Sequence, residues 1–314
     1  MNPKVSVSSL LASVAFLALA AMPAQAIDWS GVQGKDVVLL YPGQASLEWV
    51  LTNGEHDGAA KFKQGKNCKE CHIGEENKMG PLAASGKVNE PQPIAGKPGT
   101  IPAKVKFAHD ADTLYVHLEF AEGTQPDAKQ DAKYATKVSM MLSDGKVPEA
   151  DRAGCWAACH DDSTDMASAS GATRTKYLGK TRAKITRQGG GDEMKSADEL
   201  AKLKADGYGL EYWEAELNPG SPAHAAAYTV FDKREEAKPA AVAAEASFAN
   251  GTWSVTLSRK LHAGAPYKDI DPGKSFTVGF AIHAGHTARR FHYVSIDQSL
   301  VLDQGTADFV AAKK

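Results

Sequence analysis

The four cysteines of this 314-residue chain fall in two pairs, and a histidine follows each pair at once. Asn67-Cys68-Lys69-Glu70-Cys71-His72 contains C-x-x-C-H, and Cys155-Trp156-Ala157-Ala158-Cys159-His160 contains C-x-x-x-C-H. No other feature restricts the fold so tightly, because C-x-x-C-H is the attachment pattern of c-type haem. Two thiols add across the two vinyl groups of one porphyrin edge, and the short turn between them sets their separation. The next residue places an imidazole under the iron, so His72 and His160 are the expected proximal ligands. The second motif has one residue more between its cysteines, and that larger loop still spans the same edge. The expectation is two covalently attached haem c groups, bound through Cys68, Cys71, Cys155 and Cys159. The alternatives are one haem beside a disulfide, local disulfides alone, or a zinc site drawn from these cysteines and histidines. With 10 histidines in 314 residues, one after each pair by chance is an event on the order of one in a thousand.

The N-terminus agrees with covalent haem attachment. Lys4 precedes an apolar run from Leu10 to Ala21, and Ala24-Gln25-Ala26 closes it as an A-x-A site. This is the pattern of a secretory signal peptide over residues 1–26, cut before Ile27. No other stretch is long and apolar enough to cross a bilayer, so the chain is not expected to span a membrane. The expected location is the periplasm, where disulfides are permitted and haem is attached to protein. Removing the leader takes one lysine from 36 basic against 38 acidic residues. The formal charge becomes −3, and no basic stripe points to nucleic acid. Mild acidity points to a basic docking patch on a redox partner.

The remainder divides into residues 27–100 and 101–314. The first region is short on strand pattern and rich in Gly, Lys and Asn around the first motif. Asp57-Gly58 reads as a turn, Ala59–Gln64 as a short helix, and Gly65 as its end. Glu90–Thr100, dense in Pro and Gly, reads as a linker. Beyond it apolar residues alternate in period 2: Leu114–Phe120, Val138–Leu142, Trp253–Leu257 and Phe276–Ile282. Asn250-Gly251 and Asp271-Pro272-Gly273 bound these runs as turns. The expected fold is mainly β, an antiparallel β-sandwich preceded by a small, irregular, partly helical haem segment. A helix is expected over Ser196–Ala205, with Ser196 and Glu199 as a capping box. The Ala-rich stretch 237–247 reads as an insertion loop or short helix.

Three stretches resemble a known family. Val105–Val116 is similar to the first hairpin of the haem-binding subunit of ethylbenzene dehydrogenase and dimethylsulfide dehydrogenase. Gly251–Leu261 resembles that family's late strand, and Phe280–Gly285 with Arg289–Ser295 its closing hairpin. The resemblance covers about residues 100–305. It implies a β-sandwich that holds one haem and works in electron transfer. The family's haem is b-type, bound by a methionine and a lysine; the resemblance puts Met141 at the first position and His292 at the second. The C-x-x-x-C-H insertion departs from this pattern, since it makes the haem covalent and supplies His160. One family ligand is then displaced, or the haem sits differently. Taken whole, the chain resembles dihaem c-type cytochromes that fuse an N-terminal C-x-x-C-H segment to such a sandwich.

A haem that only carries electrons needs a second axial group. For the second haem His292 is preferred to Met141; the plain alternatives are a solvated histidine beside Arg289 and Arg290, and a core methionine. For the first haem His56 is preferred to Met79, against a solvated loop histidine. His109 is expected to bond backbone in a tight turn, and His117 to lie at the surface or behind a ligand. The favoured function is a periplasmic electron carrier whose partners are periplasmic or membrane redox proteins. Two other classes remain: a haem enzyme or small-ligand sensor with one five-coordinate iron, and a haem subunit of a larger molybdenum enzyme. No Ser/His/Asp set, phosphate loop or acid pair supports other catalysis.

Overall fold

The computed structural model describes residues 27–52, 54–157, 178–184 and 194–314. The leader at 1–26, and Cys159 and His160 of the second motif, lie outside the described residues. The N-terminal part holds β1 (Gly34–Leu40), α1 (Leu47–Val50), α2 (Ala59–Lys63), α3 (Cys68–His72) and α4 (Glu76–Ala84). Then come β2 (Thr100–His109), β3 (Thr113–Ala121), β4 (Thr136–Ser143), α5 (Pro148–Ala153) and α6 (Ala197–Ala205). The last third is β5 (Leu210–Leu217), β6 (His224–Val230), β7 (Arg234–Glu236), β8 (Val242–Ala249), β9 (Thr252–Lys260), β10 (Ser275–Ala284), β11 (Tyr293–Val294), β12 (Gln298–Leu302) and β13 (Phe309–Lys313).

The fold is mainly β, as expected. The strands join in the order β7-β6-β5-β4-β10-β11-β1-β2-β3-β9-β8, with β12 and β13 linking β10 to β2. Only β13 runs parallel to its neighbours, β12 and β2. The sheet folds over itself, so that the two halves share one core. Val105, Phe107, Val116, Leu118, Val255 and Leu257 come from one half; Val138, Met140, Leu142, Trp213, Val278 and Phe280 come from the other. Alternation along each strand sends these residues inward.

All four period-2 runs form strands, and α6 carries the expected cap: Ser196 Oγ accepts from the Glu199 N–H at 3.4 Å, and the Glu199 carboxylate accepts from the Ser196 N–H at 3.1 Å. Two stretches differ from the sequence reading. Residues 34–40 form a strand within the region expected to be irregular, because Val37-Val38-Leu39-Leu40 is a continuous apolar run that period 2 does not reveal. Of the Ala-rich stretch, residues 237–241 form a loop as expected, but the remainder is strand β8, not loop or helix. Pairing with β9 through Asn250 (φ 51°) and Gly251 (φ 77°) overrides alanine's poor strand preference. The His109 ring bonds the Asp110 carbonyl oxygen at 2.8 Å, as the turn predicts. His117 is buried and stacked 4.7 Å from the Trp29 ring, so it is not a surface residue.

One ion pair ties the two halves through the core. Arg259 on β9 and Glu211 on β5 are fully enclosed, with Nε 2.7 Å from Oε1. Glu211 also accepts from Trp213 Nε1 at 2.5 Å and the Lys268 N–H at 2.8 Å. Removing one partner of such a pair strands the other charge in the core. Arg259→Leu is therefore expected to lose about 3–5 kcal/mol of stability, read as a lower urea midpoint. A midpoint within experimental error of the parent would refute this.

Candidate functional site

Strands β1, β4, β10 and β11 bury part of both of their faces. Inward lie residues such as Leu39, Phe280, Ile282 and Tyr293. Outward lie Leu40, Met141, Ala281 and Val294, and a second apolar cluster forms on them. That cluster contains Leu47, Val50, Phe62, Cys155, Trp156 and Ile296, with Cys68 and Met79 packed against it. Both attachment motifs therefore sit on one side of the sheet, under the N-terminal helices.

The first motif is a helical turn of its own. Asn67 accepts from the Glu70 N–H at 2.7 Å and Glu70 accepts from the Asn67 N–H at 2.8 Å, a capping box that starts α3. Spacing i, i+4 puts Cys68 and His72 on one face. That face opens on a cleft of ≈ 300 Å³, which His56, Met79, Leu82, Val88 and Trp156 also line. Leu82 is 44% exposed and Val88 42%, so the cleft leaves apolar wall uncovered. Met79 is fixed because α4 is pressed on the start of β2: a Cβ at Gly80 would stand 2.1 Å from the Gly99 oxygen.

The two histidines of the cleft face each other. His72 Nδ1 lies 3.2 Å from Glu75 Oε2, and His56 Nδ1 lies 3.0 Å from the Val50 carbonyl oxygen. A carbonyl oxygen only accepts, so His56 Nδ1 carries the proton, and the Glu75 carboxylate favours the same tautomer in His72. Those contacts leave Nε2 of each ring as the nitrogen that would ligate a metal. The ring centroids are 6.0 Å apart. His72 and His56 are the residues that would hold an iron at this cleft, which would supply one-electron chemistry there. Gly58 makes room for this ring: a Cβ there would stand 2.8 Å from His56 Cε1. The apolar walls, the Cys68 sulfur and the two imidazoles are groups that would suit a haem, with Cys71 exposed beside the cleft. Burial pushes the Cys68 thiol up to about 12, with Asp297 adding to the effect. Among the described residues no group of three His, Cys, Asp or Glu converges on a metal ion; Cys159 and His160, on which the zinc alternative also draws, lie outside them.

Of the second motif, Cys155 and Trp156 are described. The Cys155 sulfur is buried against β10, where a Cβ at Gly279 would stand 2.8 Å from it. It hydrogen-bonds the backbone of Met141, whose side chain is wholly buried. His292 is buried beside His283, their centroids 4.7 Å apart, and both rings donate to the Arg289 carbonyl, at 2.6 and 3.0 Å. Burial pushes His292 down to about 4 and His283 well below its usual value, so both are neutral near pH 7. The structure brings Met141 to Cys155, and His292 to His283. Gly279 pairs with Met141 and Ile282 with Tyr293; Gly279 and His283 are four residues apart, which separates the two candidate ligands by about 13 Å along the strands.

The first motif joins the second at Asp297. Its Oδ1 accepts from the Lys69 N–H at 3.3 Å, and a Cβ on Gly154 would stand 3.2 Å from its Cα. Beside it, Asp308 pairs with Lys35 at 2.6 Å and with Lys69. Residues 59–88, which carry the first motif, hold six lysines against three glutamates, so this face is basic although the chain is not.

The model for a family described as ethylbenzene dehydrogenase matches residues 81–295. The chain belongs to that family. The match begins in α4, earlier than the family-like hairpins at 105–116. A cytochrome c-552 from Stutzerimonas stutzeri is 35% identical over the whole of both chains. A cytochrome c-551 from Rhodocyclus tenuis is 30% identical over 91% of this chain and 99% of its own. Among solved structures, a family 9 carbohydrate-binding module from Caldicellulosiruptor kristjanssonii aligns at TM-score 0.28 and 13% identity, over 62% of this chain and 66% of that one.

Sequence reasoning missed Glu75, Gly279, Trp156 and Asp297. A lone glycine inside an apolar strand was a usable sign of close backbone approach. Asp297 carried none, since its role depends on two distant segments. Burial pushes Asp297 up to about 6. A carboxyl raised above its unfolded value destabilises the fold once ionised, so stability should fall as pH rises from about 4 to about 6, by roughly 2–3 kcal/mol. Asp297→Asn keeps an acceptor for Lys69; its urea midpoint should lose that slope and exceed the parent's at pH 7. An unchanged slope would sink this reading.

Proposed function

We propose that the protein is a periplasmic dihaem cytochrome c that carries electrons between redox partners. The observation that carries this reading is the pair His56–His72, 6.0 Å between centroids and flanking the cleft beside Cys68. Cys68 and Cys71 hold the first haem, His72 is its proximal ligand and His56 its distal one, with Met79 a wall of the cleft. Cys155 and Cys159 hold the second, with His160 proximal and either Met141, which lies beside Cys155, or His292 distal. Bound haem supplies a one-electron couple. The chain does the rest: the Val50 carbonyl and Glu75 would orient the His56 and His72 rings, and apolar walls would exclude water. A six-coordinate iron in a rigid site moves little when it changes oxidation state, which suits a carrier. The cytochromes c-552 and c-551, similar along nearly the whole chain, support this over an enzyme. The signal-peptide pattern supports export.

Intact mass spectrometry of protein matured in a competent host should show the added mass of two haems. Carbon monoxide should leave the reduced spectrum unchanged; ready binding by the native protein favours the five-coordinate alternative and ends the carrier reading. His56→Ala should turn one of two haems high-spin and open it to carbon monoxide, while Met79→Leu leaves both low-spin. The reverse outcome transfers the distal role to Met79.

A further inference from the structure

Glu75 holds the N-cap position of α4, yet its side chain makes no capping bond. Ser, Thr, Asp and Asn suit that position, because their short side chains reach the first helical N–H groups. The Glu75 carboxylate turns back instead to His72, with Oε2 3.2 Å from Nδ1. The backbone between them makes this return possible. Gly74 takes φ 81°, which glycine adopts without steric cost, and the Glu75 N–H donates to the His72 carbonyl at 3.0 Å. The Glu75 carbonyl then accepts from the Lys78 and Met79 N–H groups at 2.8 and 3.0 Å, so the turn continues into α4. Among the described residues His72 is the only ion-pair partner of Glu75, and no lysine offsets its charge.

The facing ring has a different partner. His56 Nδ1 meets the Val50 carbonyl oxygen at 3.0 Å, a neutral acceptor. Hydrogen bonds to an ionised acceptor are the stronger kind, and a carboxylate behind a ligating imidazole raises its basicity. The first site therefore sets an anion behind one imidazole and a neutral dipole behind the other.

We propose that Glu75 is a positioning residue that lowers the reduction potential of the first haem, acting through His72. This rests on the reading of His72 as an axial ligand. A more basic ligand favours ferric over ferrous iron, and hydrogen bonding behind the ligand is one of the protein's levers on potential. Reduction adds one electron, supplied by an external redox protein, to the ferric iron; no bond forms or breaks, and no proton leaves the His72 ring. The Glu75 side chain is 47% exposed, so water screens part of the effect.

The test uses the holoprotein and its Glu75→Gln variant, with intact mass, the haem-bearing peptide of Cys68–Cys71 and the visible spectrum read first. Glutamine keeps an acceptor of equal length without the charge. In a redox titration one haem should become easier to reduce, its ferrous-to-ferric ratio at a fixed ambient potential rising about threefold to tenfold. Both the mass and the low-spin spectrum should match the parent. A potential unchanged from the parent overturns the proposal and leaves the carrier reading intact, since Glu75 then only closes the turn. A variant that turns high-spin overturns it too, because Glu75 then holds the ring in place and does not tune it. Native protein without haem on the Cys68–Cys71 peptide removes the site reading and this inference together. If Glu75→Gln does not mature, proton double resonance of the native ferric protein decides. The Nδ1 protons of the two axial rings at the first haem should couple differently, and equal couplings overturn the proposal.

Discussion

In the middle of this sheet, parts of β1, β4, β10 and β11 are buried on both sides, and that constraint shapes everything else. A strand packed on one face alternates apolar with polar residues. In β10 the outward positions between the core residues are Gly279 and Ala281, and in β4 Met141 is outward. Such a surface must be covered. Here the cover is the N-terminal helices with Cys155 and Trp156, so the region that carries the cofactor chemistry also closes the fold.

Polar contacts then set the register of that cover. Apolar packing alone is non-directional. Asp297 and Asp308 hold α3 by its backbone and by Lys69, which fixes how the Cys68–His72 face meets the sheet. Glu75 and the Val50 carbonyl work at finer scale, fixing ring tautomers once the helix is placed. Each level depends on the one beneath it.

Strands whose alternation was clean were legible from sequence, as in Leu114–Phe120 and Phe276–Ile282. So was α6, whose cap is local. The attachment motifs were legible because their chemistry dictates spacing within six residues. β1 was not, because buried strands lose alternation. β8 was not, because partner strands outweigh alanine's preference. His56 was a candidate by proximity alone, and its neighbourhood with His72 needed the turn through Gly58. Trp156 was in plain view inside its motif, yet nothing local says that an indole there will wall a different motif's cleft.

The cleft beside the first motif takes its walls from opposite ends of the polypeptide. Leu40 pairs with Val294, and Ile296 lines the same space as Trp49 and Cys68. Until β1 has met the strands near the C-terminus, Cys68 and Cys71 stand on a chain with no such walls around them. That pairing is slow because of its sequence separation, whereas the turn that carries the first motif is capped by its own neighbours. The motif is thus formed locally and its cleft only globally.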